Sequence, residues 1–348
     1  MPVVCLLISA MIFLGCSPNG GDEYLDSLKL PEVQLSPLSV IDLDELGITS
    51  PGRIAKQGEY IAISQDKGDF VLNLMKLGTC EILPLIRKGR GPGEALRCSS
   101  LQNEGDRVIF YDSGSAVCVS IDCEKSFRNG VASMDTIARF NRDGVRPYFM
   151  AKAGDYFISA NVTDPGSWYC CFTESGTTHR GIGLPRFESI TQADPDFRTS
   201  LSLSSVFASN GAGDKVCAAN VATSAISFSA LRGGMLEEYR RYEYNPPEVI
   251  CKDGYTVFSD RSRDSFHSIA SDDSSIFLLY SGNRMFGDEL PGSECIHLVE
   301  YGWDGLLKRY FRLSHPVSSI CLDDGRLYAV SNYKTLQMYV YDVDDRPL

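Results

Sequence analysis

Histidine is the scarcest titratable side chain in this sequence, with four copies in 348 residues. His179, His267, His297 and His315 are scattered along the chain, and His267, beside Arg263 and Asp264, reads as a surface residue. No His-Glu-x-x-His motif, no Cys-x-x-Cys pair and no Cys/His spacing suited to zinc occurs. The sequence therefore assigns no metal and no cofactor. A Gly-x-Ser-x-Gly nucleophile elbow is absent as well. Positive charge is short: 33 Lys and Arg stand against 45 Asp and Glu, a net charge of −12, which argues against broad nucleic-acid binding. Few long stretches lack Gly, Pro, Asn, Asp or Ser, so long helices have little room. The apolar run at residues 3–14 is shorter than the roughly 20 residues a bilayer span requires.

What the chain does have is globular. It is 43% hydrophobic and 22% charged, with 17 Tyr and 17 Phe, a composition that suits strands packed around a core. Its length fits one large all-β repeat domain or two ordinary domains. Residues 86–122 show the pattern most clearly. A glycine-rich crossing, Gly89-Arg90-Gly91-Pro92-Gly93-Glu94, is followed by strand, tight turn, strand, tight turn and strand, with turns at 103–106 and 113–115. The same order recurs. Second strands begin at residues 59, 107, 156, 215, 275 and 326, a spacing of 48 to 60 residues. Four short strands repeated at about 40–50 residues mark propeller blades. The reading is all-β: a six-bladed β-propeller with four-stranded antiparallel blades over residues 32–348. The last repeat has only three strands. Residues 33–43 form a strand without a sheet, and they supply the fourth, so that the ring leaves no open edge. Two β-sandwiches are the alternative, but they leave this strand and the short last repeat unmatched.

The N-terminus points to export. Residues 3–14 have the length of a signal-peptide core and end in Phe13-Leu14-Gly15-Cys16-Ser17, which resembles a bacterial lipobox. Phe13 stands where Leu is commoner, and no Lys or Arg precedes the run. A plain secretory signal or a buried strand is the alternative. On the lipobox reading, 1–15 is the signal peptide, Cys16 is lipidated, and 16–31 is a polar tether that buries little. The protein is then exported and held at the outer membrane of a Gram-negative bacterium, on its periplasmic or surface side. Of 12 cysteines, Cys5 leaves with the signal and Cys16 is the anchor. The other ten read as mostly free thiols, with Cys118, Cys217 and Cys321 packed as small hydrophobes, though export leaves room for one or two disulfides.

The glycine-rich segment also carries a resemblance. Gly89 to Glu94 resembles the Gly-x-Gly-Pro-Gly-Glu-Phe segment of the six-bladed β-propeller lipoproteins grouped with TolB-like and NHL-like propellers. In that family a lipobox, a strand and this motif follow in the same order, and the repeat covers nearly the whole mature chain. Ala95 replaces the usual Phe. The resemblance implies the fold and an envelope location more firmly than an activity.

Candidate site residues follow from position. Arg87, Lys88 and Arg90 form the strongest basic cluster, with Glu94 beside them, and a crossover between blades places them at the rim of the central channel. As a phosphate loop the segment fails, since no Gly-Lys-Ser/Thr follows. Asp26-Ser27-Leu28 and Asp135-Thr136-Ile137 resemble the Asp-Ser/Thr-apolar acceptor of O-glycosylation in some Gram-negative anaerobes, making Ser27 and Thr136 candidates. Acidic turns such as Asp323-Asp324-Gly325 read as hairpin chemistry. Two functions remain. The favoured one is a monomeric binding or scaffolding lipoprotein for a glycan, peptide or protein partner. The alternative is a propeller lyase or hydrolase with its site at the central channel mouth. Ser205, Ser268 and Ser318 at inner-strand starts favour binding.

Overall fold

The computed structural model describes residues 22–140, 147–160, 164, 166–177, 181–286 and 291–344. Residues 1–21, including Cys16, and His179 lie outside these. Six sheets follow one another along the chain, and their first strands neighbour each other in a closed ring around an axis. These inner strands are Pro51–Gln57, Ser100–Glu104, Met150–Ala153, Ser205–Ser209, Phe266–Ser271 and Ser319–Asp323. Each is followed outward by antiparallel partners, so the fold is a six-bladed β-propeller with four-stranded blades. Two sandwiches are excluded by the closed ring. The second strands begin at Tyr60, Arg107, Tyr156, Lys215, Ser275 and Arg326, within one residue of the sequence reading.

The core is divided as the architecture demands. Six apolar clusters form, one in each wedge between neighbouring blades. Middle strands are therefore buried on both faces, and Ser275–Tyr280 is buried at every position. This is why its sequence is a continuous apolar run with no period-2 alternation. Cys118, Cys217 and Cys321 are buried in these wedges, and all ten described cysteines are free thiols, so no disulfide forms among the described residues. Burial pushes the Cys98 thiol up to about 12, which keeps it protonated and inert at neutral pH.

Closure of the ring uses the N-terminal stretch, but in two pieces. Ser39–Asp42 pairs antiparallel with Thr335–Asp342, in register Ser39 to Val340 and Asp42 to Gln337, and completes blade six. Glu32–Leu35 instead runs parallel to Leu307–Val317 and adds a fifth strand to blade five. Pro37 lies between the two pieces and separates them. The ends of the chain thus staple two blades together.

Residues 22–28 correct the expectation of a tether that buries little. Glu23–Ser27 is a short helix capped by Asp22, whose carboxylate accepts from the backbone N–H of Tyr24 and Leu25. Tyr24 is 0% exposed in the wedge between blades four and five, within 5.1 Å of the Phe266 ring and 4.6 Å of the Tyr280 ring. Leu28 is buried in the same cluster. His267 is also not a surface residue: it is half-buried, with Nε2 3.6 Å from Asp264 Oδ1.

The two faces of the disc differ. One carries the turns between first and second strands. The other carries the crossovers from one blade to the next. On the crossover face stand the helices Glu188–Thr191 and Pro195–Leu203 and the hairpin Val249–Lys252 with Tyr255–Phe258. Asp194 joins them, capping Phe197 N–H (2.8 Å) and accepting from Thr256 N–H (2.7 Å). These backbone donors hold its carboxyl down at about 2.

Candidate functional site

The axis of the ring holds a cavity of about 800 Å³ that opens on the turn face. Its wall is stitched by side chains that pass from blade to blade. The Lys56 ammonium of blade one pairs with Asp323 of blade six. Lys56 N–H donates to Asn103 Oδ1 of blade two (2.8 Å). Gln102 of blade two exchanges two bonds with Lys152 of blade three: Oε1 accepts from its N–H (2.7 Å) and Nε2 donates to its carbonyl (2.9 Å). Ser209 of blade four donates to the same carbonyl (2.6 Å). Ser271 of blade five donates to the Ser209 carbonyl (3.0 Å). Ile320 N–H of blade six donates to Ser268 Oγ of blade five (3.1 Å). The circuit closes through all six blades. Neutral Gln, Asn and Ser are suited to this, because each buried group finds a partner without a charge to desolvate. The two ammonium groups are neutralised locally, Lys152 by Glu104 and Lys56 by Asp323.

The mouth of the cavity is acidic. Each of the six turns ends an inner strand and exposes a carboxylate: Glu59, Asp106, Asp155, Asp214, Asp273 and Asp324. Asp273 Oδ1 accepts from Gly211 N–H (3.1 Å), which ties the turn of blade five to that of blade four. The local cause is turn chemistry. Gly58, Gly105, Gly154, Gly213 and Asp324 take positive φ, a conformation that Gly and Asp tolerate. Of the turn carboxylates, Asp272, Asp273 and Asp324 line the opening itself, where low-dielectric walls strengthen their field. Among the described residues no three His, Cys, Asp or Glu groups converge as a metal-binding set.

The basic cluster lies elsewhere. None of Arg87, Lys88, Arg90 and Glu94 lines the central cavity; all four are exposed on the crossover face. The glycine-rich segment folds on itself, with Gly89 N–H donating to the Ala95 carbonyl (2.9 Å) and Ala95 N–H to the Arg87 carbonyl (3.0 Å). Glu94 accepts from Gly91 N–H (2.7 Å), and a β-carbon at Gly89 would sit 2.0 Å from its carboxylate, so a side chain there would displace Glu94 from this bond. Asp112, which the sequence did not single out, holds the exit of the crossover. Its buried carboxylate accepts from the N–H groups of Leu96 (2.9 Å), Arg97 (3.2 Å) and Gly114 (2.7 Å) and from Ser115 Oγ (2.7 Å). The segment borders a separate pocket of about 630 Å³ over blade two, with Arg90 and Arg139 at its edge and Phe110, Val119 and Met134 among its apolar walls. Ser27 is half-buried and donates to the Tyr24 carbonyl (2.7 Å). Thr136 is exposed on the outer strand Met134–Arg139.

No protein-family model matches the chain, and no curated protein matches it in sequence. Solved structures similar to it include the Cps50 (Swd1) β-propeller domain of Myceliophteria thermophila, at 12% identity and a TM-score of 0.44 over 89% of this chain and 99% of that one. Raptor of Chaetomium thermophilum is similar at 11% identity and 0.47, over 91% of this chain and 29% of that chain. BamB of Moraxella catarrhalis is similar at 11% identity and 0.38, over 88% and 99%. The six-bladed assignment stands on the sheets described above.

Proposed function

We propose that this protein is a binding or scaffolding propeller that receives a cationic segment of a protein partner at the acidic mouth of its axial cavity. The carrying observation is the set of exposed carboxylates Asp272, Asp273 and Asp324, on the turns of blades five and six, that line the mouth of the 800 Å³ cavity. The polar groups of the wall are paired with one another, so the cavity is a preformed, rigid receptor that needs little ordering on binding. A lysine or arginine entering it would exchange its water for the field of Asp272, Asp273 and Asp324. In this reading the chain belongs with the lipoprotein propellers it resembles, is exported, and is anchored through Cys16; Cys16→Ala should then release it from the membrane fraction.

The test is calorimetric binding of a lysine-rich peptide, with a glutamate-rich peptide of equal length as control. Binding of the cationic peptide alone, weakening as salt rises, is expected. Asp273→Asn and Asp324→Asn together should abolish it. Equal binding of both peptides, or binding unchanged in the double variant, contradicts the reading.

A further inference from the structure

The start of the described chain is pinned to one face of the disc. Asp22 sits at the crossover end of the groove between blades four and five. Its carboxylate accepts from the Tyr280 hydroxyl (2.7 Å) and the Asn245 amide (2.8 Å). Tyr280 is the last residue of its strand before the connection to Cys295–Gly302, and Asn245 directly follows the outer strand Met235–Tyr244. Both positions lie at the end of their blades opposite the acidic turns. The seat is fitted: a β-carbon at Gly282 would come within 2.7 Å of the Asp22 carboxylate. Two residues on, Tyr24 is locked in the wedge, its hydroxyl 3.1 Å from that of Tyr301.

Cys16 precedes Asp22 by six residues. Six residues reach at most about 20 Å when fully extended. In blade five the strand Cys295–Gly302, against which the bulged outer strand Leu307–Val317 pairs, has 8 residues and so runs about 27 Å between the crossover face and the turn face. A tether leaving the Asp22 pin cannot descend that edge to the turn face. We propose that the crossover face is the membrane-proximal face of this protein and that the acidic mouth is held away from the bilayer, open to a soluble partner. This orientation rests on the proposed acylation of Cys16.

Two further features fit a lipid surface on that side. The hairpin Val249–Lys252 with Tyr255–Phe258 exposes Ile250 by 50% and Tyr255 by 63%, with Lys252 beside them, and Phe286 is 59% exposed on the same face. Aromatic and aliphatic side chains next to a lysine suit the headgroup boundary. On the opposite side, the exposed acids of the six inner turns would be repelled by anionic headgroups, so this orientation removes that repulsion.

The experiment places a dye through p-azidophenylalanine at either of two exposed positions of blade five: 286 on the crossover face, or 274 in the acidic turn. Each protein is examined on vesicles containing nitroxide-labelled lipid. One preparation carries the native N-terminus extracted from membranes. In the other the chain begins at residue 17, and a six-histidine tag there binds nickel-chelating lipid. Loss of emission at 286 with emission at 274 retained is expected in both. Equal loss at the two positions, or greater loss at 274, overturns the orientation. Intact-mass measurement of the membrane-extracted protein reports Cys16 acylation separately. An unacylated N-terminus together with selective loss at 286 in the tagged preparation would retire the lipoprotein reading and leave the geometry of the pin standing.

Discussion

The two faces of this propeller are made by different means. The inner turns of the turn face repeat one device six times, a tight hairpin with an exposed acid, and the helix Cys123–Asn129 of blade two stands beside them. The crossover face is assembled from parts that do not repeat: a self-closed glycine-rich loop, two short helices, an added hairpin and the capped N-terminal helix. The turn face exposes the carboxylates of its inner turns, with Glu300 buried beneath them on Arg309, whereas the crossover half buries Asp112, Glu294 and His297. Charge left in water can meet a partner at little desolvation cost, and charge taken out of water holds structure and becomes sensitive to pH. The difference assigns recognition to one face and attachment and stability to the other.

The largest effect should come from removing the staple. Deletion of residues 32–42 opens blade six and strips the fifth strand from blade five, so cooperative unfolding should be lost and the exposed edges should drive aggregation. A deletion variant that melts like the full chain would show that the ring closes without it. Next is the pin. Tyr24→Ala empties an aromatic site that is 0% exposed and should cost about 3–5 kcal/mol in chemical denaturation, whereas an equivalent change on the turn face, Asp155→Ala, should stay within about 0.5 kcal/mol.

Acid separates the faces further. Burial, with Arg312 nearby, lowers His297 from 6.5 to about 4, and its Nδ1 lies 2.7 Å from the Tyr310 hydroxyl. The unfolded chain therefore binds a proton at this residue before the folded one does. Stability through this group is full above pH 6.5 and falls as pH drops from about 6.5 to 4, by about 3 kcal/mol. His297→Gln should flatten that part of the stability profile. Glu294 has the opposite sign. Burial raises its carboxyl above 4.5, despite bonds from Asn332 N–H and Ser331 Oγ. Its favourable contribution is present below about 4.5 and is lost as pH rises through the raised value. Glu294→Gln should stabilise the protein at pH 7, and the gain should vanish in acid.

The faces also differ in how far they could be read from the sequence. Hairpin turns are local, so Gly and Asp at fixed offsets located every second strand to within one residue. The need for a fourth strand in the last repeat was legible for the same reason. That the N-terminal stretch divides between two blades was not, because strand pattern carries no information about which edge a strand joins. Tyr24 was hidden inside a polar segment, and its burial depends on a wedge made 200 and more residues later in the chain. Arg87, Lys88 and Arg90 looked like a channel rim because any crossover passes over the disc, yet their loop closes on itself away from the axis. The acidic mouth was seen only as separate acidic turns. No single turn shows that Asp272, Asp273 and Asp324 meet at one opening; the ring has to close first.

The most direct measurement of the division between faces is hydrogen exchange with and without a saturating lysine-rich peptide. The account predicts slowed exchange at the turns 57–59, 104–106, 153–155, 210–214, 272–274 and 323–325, with the crossover segments 88–99 and 249–258 unchanged. Protection confined to the crossover segments, or no change at the six turns, would contradict it.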